Sequence, residues 1–372
     1  MEIPNPYASK NYRWLVAIPL ALVLIAAVFI PRIPAGVDLK GGLLISIQTD
    51  SAVDTALLKQ KLSAFSEDVE IRAFSGPAGN GYEIELGSSE KLAAAEDSLK
   101  KVHDLDLELV RAEQAASFAN QTAEKAAAEA KVAELEKQLL AEAGKVLAAS
   151  GSSKQLGAEP HEAAKTADEE FSVSQSAYSN KIMDVVRQVA TVKAYSLKEI
   201  GASLSKFFFS KIQEILLYSF ILGAIVVFLV FRSFVPSFIV IFAAVADVLI
   251  ALGGMGLFGI PLTLASTAAL LMLIGFSLDT DILLSIRVLK RTEGTPYSRA
   301  FDAMKTGFMM NAAAITAFGV LAIIALWLNV PTYFQIGSVV VMGGFADFAT
   351  TWCANAVTIL WYAERREKKG VK

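Results

Sequence analysis

The chain of 372 residues is 54% hydrophobic and carries a formal net charge of −3, whereas a soluble domain is about 45–50% apolar. Its apolar residues are concentrated in residues 14–30 and after residue 215, and a charged block rich in Ala, Glu, Lys, Gln and Ser lies between them. This distribution excludes an ordinary soluble domain and predicts a polytopic α-helical membrane protein with one large water-exposed insertion.

Six segments are apolar enough to cross a bilayer as helices, which takes about 20 residues each. They cover residues 13–31, 214–231, 235–256, 262–286, 308–328 and 333–362. The first follows Lys10 and Arg13 and lacks a small-residue cleavage site, so we interpret it as a retained anchor. Residues 1–32 are then the N-terminus with the first span, residues 213–362 a five-helix bundle, and residues 363–372 a basic tail.

The basic residues of the short loops predict the orientation of these spans. One set of helix ends carries Lys10, Arg13, Arg232, Arg287, Lys290, Arg291, Arg299, Lys305, Arg365, Arg366, Lys368 and Lys369. The loops GLFGIP and NVPT, at the opposite ends, carry none. Positively charged loops stay in the cytoplasm. We therefore expect a multi-pass plasma-membrane protein with both termini cytoplasmic and residues 33–212 outside the cell.

The insertion begins with a predicted α+β domain. Apolar residues alternate along Leu43–Ile47, as in a strand, and residues 52–66 have helical spacing. Residues 70–86 read as two strands around a Gly/Pro/Asn turn, a helix begins near Ser89, and residues 186–195 are rich in β-formers. The order β-α-β-β-α-β predicts a ferredoxin-like domain.

A long helical hairpin is predicted inside this domain, over about residues 112–186. From residue 89 to 148 there is no proline and only one glycine, and residues 150–160 break the pattern before a second helical stretch. We expect two antiparallel arms with their tip at this break. Their seam would pair Val132, Leu135, Leu139 and Val146 with Phe171, Tyr178, Ile182 and Val185. The hairpin is either a passive spacer or a contact arm for a partner or a passing chain.

Four aspartates lie in the predicted spans, namely Asp247, Asp279, Asp281 and Asp347. An ionisable side chain there costs about 2.5–3.5 kcal/mol on insertion scales and usually faces the bundle interior. Burial disfavours the charged form of a carboxyl, so such a group can bind a proton from one side and release it to the other. Asp279 and Asp281 are about 200° apart around a helix and cannot share one partner.

The proton-relay candidates are these four aspartates together with Arg287, which follows Asp281, and Asn311, a neutral hydrogen-bond partner on the next span. The alternative is that the aspartates are structural and bond Ser, Thr and Asn in neighbouring helices. Glycines near the acidic positions, including Gly275, favour close helix packing.

The single cysteine and the two histidines do not indicate a disulfide or a metal site. One cysteine, Cys353, excludes an intrachain disulfide, and His103 and His161 stand too far apart in the sequence to suggest a metal site. We expect no cofactor, no metal and no nucleic-acid partner.

Three motifs resemble the SecF branch of the SecD–SecF family of protein export, within the resistance–nodulation–division superfamily. GVDLKGG, with Gly36, Asp38, Gly41 and Gly42, resembles the family box after the first span. ADVLIALG (246–253) resembles the third-span motif, with alanine in place of histidine. GFSLDTDILLSIRVLKR, from Gly275, resembles the fourth-span motif in its archaeal form, with acids flanking Thr280.

The resemblance implies a non-enzymatic accessory subunit of the Sec machinery. Its implied partners are SecD, the SecY translocon, a translocating unfolded polypeptide and the lipid bilayer. It also implies that the proton-motive force drives movement of the outer domain and so promotes translocation.

Three other functions are weighed against it. An intramembrane aspartyl protease is disfavoured because its Gly-x-Gly-Asp box is missing from the sequence. A membrane-anchored scaffold with a coiled-coil arm stays open. An exporter of small molecules of the same superfamily stays open as well, although fold analogy alone is a weak guide to function.

Overall fold

The computed structural model describes residues 5–9, 11–76, 79–118 and 122–368, and most of these are helical. The α-helices are α1 (Ala17–Phe29), α2 (Val37–Lys40), α3 (Thr55–Leu62), α4 (Glu90–Phe118), α5 (Thr122–Ser150), α6 (Pro160–Val189), α7 (Ala202–Phe231), α8 (Phe234–Phe258), α9 (Leu264–Lys290), α10 (Pro296–Leu328), α11 (Pro331–Ala349) and α12 (Ala356–Lys368). The strands are β1 (Gly42–Thr49), β2 (Val69–Gly76), β3 (Gly79–Gly87) and β4 (Val192–Ile200). A π-helix, Thr350–Asn355, joins α11 to α12.

The chain forms two units, which are described separately below. Residues 1–36 and 208–372 make up the membrane unit, and residues 37–74 and 79–207 make up the α/β unit.

Six helical segments in the described part of the chain are long and apolar enough to cross a membrane, in agreement with the predicted number. They are Tyr12–Arg32, Ala202–Phe231, Phe234–Phe258, Leu264–Lys290, Pro296–Leu328 and Pro331–Lys368. The last of them combines α11, the π-helix and α12.

Capping residues explain where the membrane helices begin and end. Thr263 and Ser266 form a reciprocal capping box at the start of α9, which satisfies backbone N–H groups that have no helical partner. Thr295 caps α10 ahead of Pro296, the position at which proline suits a helix. Gly259 ends α8 at φ 67°, a left-handed conformation that glycine adopts without strain.

The α/β unit contains a sheet with strand order β2-β3-β1-β4, in which β1 is antiparallel to both β3 and β4. One face carries the predicted alternation, with Leu43, Ile45 and Ile47 buried against α3 and α6. The strand predicted over residues 186–195 differs in its first part, because residues up to Val189 complete α6. Val186 is buried in the same core, so this β-rich stretch packs as the last turn of a helix.

The helical insertion differs from the predicted hairpin over residues 112–186. Helix α4 ends at Phe118 and α5 begins at Thr122, so the predicted uninterrupted arm is two helices; residues 119–121 lie outside the described part. Helices α4, α5 and α6 share one core, formed by Ala95, Leu99, Val102, Leu109, Ala112, Leu135, Leu139, Ala143, Val146, Leu147, Ala163, Ala164, Ala167 and Phe171.

The direction of these helices also differs from the prediction. His161 lies 2.5 Å from Asp106, and His103 lies 3.5 Å from Asp168, so α6 runs antiparallel to α4. Helix α5 also returns along α4, because only three residues join two helices that pack together. Helices α5 and α6 are therefore parallel to each other, and residues 151–159 are not the tip of a hairpin.

The predicted seam is correspondingly wrong in one half. Val132, Leu135, Leu139 and Val146 face the shared helical core. Phe171 lies in the same core, as predicted, whereas the other three residues of the predicted α6 side, Tyr178, Ile182 and Val185, pack against the sheet.

Candidate functional site

Three of the predicted aspartates meet in the interior of the membrane unit. Asp247 lies on α8, Asp281 on α9 and Asp347 on α11, and each is at most 1% exposed. These helices pack directly against one another. Residues far apart in the sequence thus share one small polar site surrounded by apolar side chains.

Asp347 occupies the middle of this site and has the most donors. Thr280 Oγ1 lies 2.9 Å from its Oδ1 and 3.1 Å from its Oδ2. Thr351 Oγ1 lies 2.9 Å from Oδ1, and Asn311 Nδ2 donates to Oδ2 at 2.8 Å. The predicted partner Asn311 therefore reaches an aspartate, and α9, α10 and α11 are tied together at this point.

Asp281 is linked to Asp347 through a single threonine. Thr351 Oγ1 lies 2.9 Å from Oδ1 of each aspartate. A hydroxyl carries one proton and donates to one acceptor at a time. Both contacts are hydrogen bonds only when one of the two carboxyl groups itself carries a proton and donates it to Thr351. The geometry accommodates a shared proton between the two aspartates.

Asp247 forms the third corner. Ser277 Oγ donates to its Oδ2 at 2.5 Å, and Thr350 donates to its Oδ1. Ser277 lies one turn before Asp281 on α9, so a single helix serves two of the acids.

The π-helix brings three of these donors to one side of the last span. Its hydrogen bonds join residues five apart, as in the bond from Ala356 N–H to Thr351 O. Thr350 and Asn355 are five apart, and the wider turn of the π-helix brings them closer together around the axis than the roughly 140° of an α-helix. Asn355 Nδ2 donates to Asp281. Thr350, Thr351 and Asn355 thus connect the last span to Asp247 on α8 and to Asp281 on α9.

No basic side chain neutralises this network. Among the described residues, no lysine, arginine or histidine forms an ion pair with Asp247, Asp281 or Asp347. Like charges that are buried together repel strongly because the dielectric constant is low. The network is thus suited to holding one or more protons and to exchanging them between neighbouring carboxyl groups.

The other predicted site residues lie elsewhere. Asp279 is exposed on the surface of α9 and contacts none of the three acids. Arg287 donates to Asp302 O at 2.8 Å and to Thr306 Oγ1 at 2.9 Å, and it contacts none of the three buried aspartates. Gly275 packs against nothing, since an added Cβ would meet no atom within 4 Å.

The residues of the GVDLKGG motif have structural roles in their own units. Gly36 N–H donates to Leu262 O at 2.9 Å. Asp38 is buried and pairs with Lys198 at 2.8 Å. Gly41 and Gly42 have φ of 77° and 131°, so both positions favour glycine.

A charged cluster on the sheet was not predicted from the sequence. Arg72 on β2 contacts Glu85 at 2.7 Å, Glu70 at 2.5 Å and Glu83 at 3.6 Å. Burial raises the pKa of Glu83 to about 7, and the charge of Glu85 adds to this effect. Burial also raises the pKa of Glu85.

Five donors of the aspartate network were also missed, namely Ser277, Thr280, Thr350, Thr351 and Asn355. A signal for two of them exists in the sequence. Ser277 and Thr351 stand four residues from Asp281 and Asp347, which puts each on the same helix face as an acid. The others depend on contacts between helices.

Part of the chain is similar to known membrane proteins. The family model described as "Protein export membrane protein SecD/SecF, C-terminal" matches residues 181–365. The protein-export membrane protein SecF of Methanothermobacter thermautotrophicus is 44% identical over 188 residues, which are 50% of this chain and 65% of that protein. SecF of Methanocaldococcus jannaschii is 43% identical over 178 residues, 47% of this chain and 63% of that protein. The matched part of the chain thus spans less than two thirds of these relatives.

A solved structure has a similar fold. The crystal structure of SecDF, a translocon-associated membrane protein from Thermus thermophilus, superposes with a TM-score of 0.57 at 15% identity, covering 98% of this chain and 39% of that chain. At this identity the likeness concerns the fold alone.

Proposed function

Because the C-terminal half of the chain belongs to the SecD/SecF family of protein-export membrane proteins, we propose that the chain is a SecF-type accessory subunit of protein export. In this proposal it works with a SecD-type partner and uses the proton-motive force to promote passage of polypeptide through the SecY channel. It is a transport subunit and not an enzyme.

The aspartate network carries this proposal. Asp247, Asp281 and Asp347 are buried with neutral donors only, and Thr351 links two of them at 2.9 Å each. Intramembrane acids are commonly used as proton relays. A change in the protonation of Asp347 alters its bonds to two neighbouring helices, α9 and α10, which provides a route from proton binding to helix movement.

The proposal includes an orientation and a domain assignment. Both termini and the basic tail of residues 363–372 lie in the cytoplasm, and the domain of residues 33–212 lies outside, as the distribution of Lys and Arg favours. The strand order β2-β3-β1-β4 supports a ferredoxin-like domain with a helical insertion. This outer domain is the part that contacts the passing polypeptide.

Proton flux tests the proposal directly. The chain is co-purified with its SecD-type partner, reconstituted in proteoliposomes with an entrapped pH-sensitive dye, and exposed to a pH gradient. We expect Asp281→Asn and Asp347→Asn each to lower the flux at least tenfold, equivalent to about 1.4 kcal/mol in the barrier. Asp279→Asn should have a smaller effect, since Asp279 lies outside the network.

Leu283→Asn is the matched control for added polarity on α9. Equal flux in the wild type and the Asp281→Asn and Asp347→Asn variants would refute the relay. An equal loss in Leu283→Asn would mean that polarity, and not a titratable group, had been perturbed.

A scaffold role for the helical insertion has one observation in its favour. Leu107 and Phe118 on α4 are 60% and 81% exposed, so both offer apolar surface to a binding partner. If the insertion is the active part, Leu107→Ser with Phe118→Ser abolishes export in cells while the aspartate variants retain it. The opposite result supports the relay.

A further inference from the structure

Strand β4 forms one edge of the sheet in the α/β unit. It pairs with β1 on one side, and among the residues that the structure describes no strand pairs with its other side. Residues 193–198 are all exposed. Along this stretch the backbone N–H and C=O groups of alternate residues therefore point away from β1, where a further strand could bind them.

The features that usually protect such an edge are few in β4. Natural sheets block their edges with proline, with bulges or with lysines that extend outward. β4 contains no proline, and its pairing with β1 is regular from residue 194 to residue 200, after a bulge at Lys193. Both lysines of the strand contact acids of the same unit, Lys193 with Asp50 at 2.5 Å and Lys198 with Asp38 at 2.8 Å. The residues between them carry no charge, so the middle of the edge is open to pairing.

Apolar side chains beside this edge are left partly uncovered. Tyr195 and Leu197 lie opposite Ile47 and Ile45 of β1, and so on the face of the sheet that packs against α3 and α6. Ile45 and Ile47 are 0% and 1% exposed, whereas Leu197 and Tyr195 are 37% and 53% exposed. The cover of this face thus stops short of β4. A strand added at the edge would place every second side chain beside Tyr195 and Leu197.

We propose that β4 binds an extended segment of unfolded polypeptide, which adds to the sheet as a further strand. Backbone hydrogen bonds provide the affinity, and alternate apolar side chains contact Tyr195 and Leu197. A row of backbone groups selects an extended backbone and depends little on side-chain identity, which suits a chain of variable sequence. The inference rests on the proposed function for the origin of this polypeptide and names the site that binds it. Only Gly201 separates β4 from α7, a membrane span, so the bound chain lies beside the start of that span.

Fluorescence anisotropy of the full chain in lipid nanodiscs tests the site, with neither a partner subunit nor a pH gradient present. The probe is a labelled peptide of the same length as β4 in which valine and serine alternate. Two matched peptides carry backbone N-methyl groups on all valines or on all serines, and each set of methyl groups blocks one edge of the extended peptide. We expect one methylated peptide to bind at least tenfold more weakly than the parent and the other to bind like it. Equal affinities of the two methylated peptides would overturn the proposal.

Two variants of the protein test the exposed apolar side chains. Tyr195→Ser removes an aromatic ring, and Leu197→Lys adds a charge beside the edge. Each should weaken binding of the parent peptide at least fivefold. Val173→Ser, which removes a 62% exposed side chain from α6 of the same unit, is the control and should leave binding unchanged. Unchanged binding in both β4 variants would overturn the proposal.

Photocross-linking identifies what occupies the edge. A benzoyl-phenylalanine in place of Ser196 should cross-link to the parent peptide, and cross-links to a second copy of the chain in its place would overturn the proposal. Proton flux is measured separately in proteoliposomes. Normal flux without peptide binding would refute the β4 site alone, whereas peptide binding without flux would refute the relay alone.

Discussion

Thr351 shows how much depends on one hydroxyl group. It stands between two buried acids, and its single proton satisfies only one of them at a time. The arrangement is therefore sensitive to which carboxyl is protonated. Its four-residue spacing from Asp347 could have been noticed in the sequence, but its contact with Asp281 depends on the packing of α9 against the last span.

Removal of this hydroxyl should interrupt the link. Thr351→Val keeps the shape of the side chain but cannot bond either acid, and hydrogen bonds to charged groups contribute about 1.5–3 kcal/mol. We expect proton flux in proteoliposomes to fall roughly tenfold. Thr351→Ser retains the hydroxyl and should stay within about twofold of the wild type. Equal flux in the valine and serine variants would exclude a role for the hydroxyl.

Glu83 should make the stability of the α/β unit depend on pH. Its pKa is about 7 in the folded chain and 4.5 ordinarily. Between these values the unfolded chain loses the proton that the folded chain retains, so stability falls as pH rises from about 4.5 to 7. The full effect is on the order of 3 kcal/mol.

Hydrogen exchange of the β3 amides in the full-length protein measures this effect. The ratio of wild type to Glu83→Gln at each pH cancels the chemical pH dependence of exchange. We expect the protection of the wild type, relative to Glu83→Gln, to decrease across this window. Glu70 is a more exposed carboxylate that contacts the same arginine, so Glu70→Gln should behave like the wild type. A ratio of wild type to Glu83→Gln that stays constant with pH would refute the raised pKa of Glu83.

Among the elements, α1 and α8 illustrate what glycine spacing can and cannot predict. Glycines near the acids are expected to allow close packing. This is so for Gly253, where an added Cβ would lie 2.3 Å from Ala26 Cβ and 2.4 Å from Ala26 Cα. Gly275 has open space around it. Glycine is a common residue in membrane helices, and its spacing alone does not say which glycines face a neighbour.

These two glycines form a matched pair. Gly253→Ala should force α1 and α8 apart and destabilise the protein by about 1–3 kcal/mol. Gly275→Ala should be neutral or slightly stabilising, because alanine is the better helix former. The thermal unfolding midpoint in detergent measures both, and equal midpoints would contradict the close approach of the helices.

The helical insertion shows why helices are easier to predict from sequence than their partners. Its residues are strong helix formers, so helix was predicted correctly for most of it. The glycine- and serine-rich stretch at 150–160 predicts a tip there, whereas the sequence near Phe118, where α4 ends, contains no glycine or proline. Alanine-rich surfaces fit several partners, so the direction of pairing was not encoded in the pattern.

Cross-linking distinguishes the observed packing of α6 against α4 from the predicted antiparallel hairpin. His103→Cys with Asp168→Cys places thiols where the native side chains lie 3.5 Å apart, and a short bis-thiol reagent should join them. Val132→Cys with Tyr178→Cys, a pair expected to meet in the predicted antiparallel hairpin, should not react. Reaction of the second pair alone would support the hairpin instead.

On the scale of the whole molecule, the number of spans was predictable because hydrocarbon requires long apolar helices. The location of the acids in these spans was equally clear from the sequence. Their convergence was not, since it requires knowing which helices are neighbours. The polar residues of the segment TTWCAN do not by themselves indicate a π-helix, because they also occur in α-helices.

Thiol labelling of intact cells tests the proposed orientation of the molecule. In a Cys353→Ala background, Ser153→Cys should react with a membrane-impermeant maleimide from outside. Thr292→Cys, in the basic loop between α9 and α10, should react only after permeabilisation. Both positions are exposed. The reverse pattern would invert the orientation.

The π-helix has a mechanical consequence for the last span. It contains one residue more per turn than its flanks, and its conversion to α-helix would twist α12 by roughly 100° relative to α11. Glu364 on α12 accepts hydrogen bonds from Tyr12 at 2.5 Å and from Tyr297 at 2.6 Å. Such a rotation would separate Asn355 from Asp281 and, in the same motion, Glu364 from both tyrosines. It would therefore couple the hydrogen bonds of the buried acids to those at the opposite end of α12.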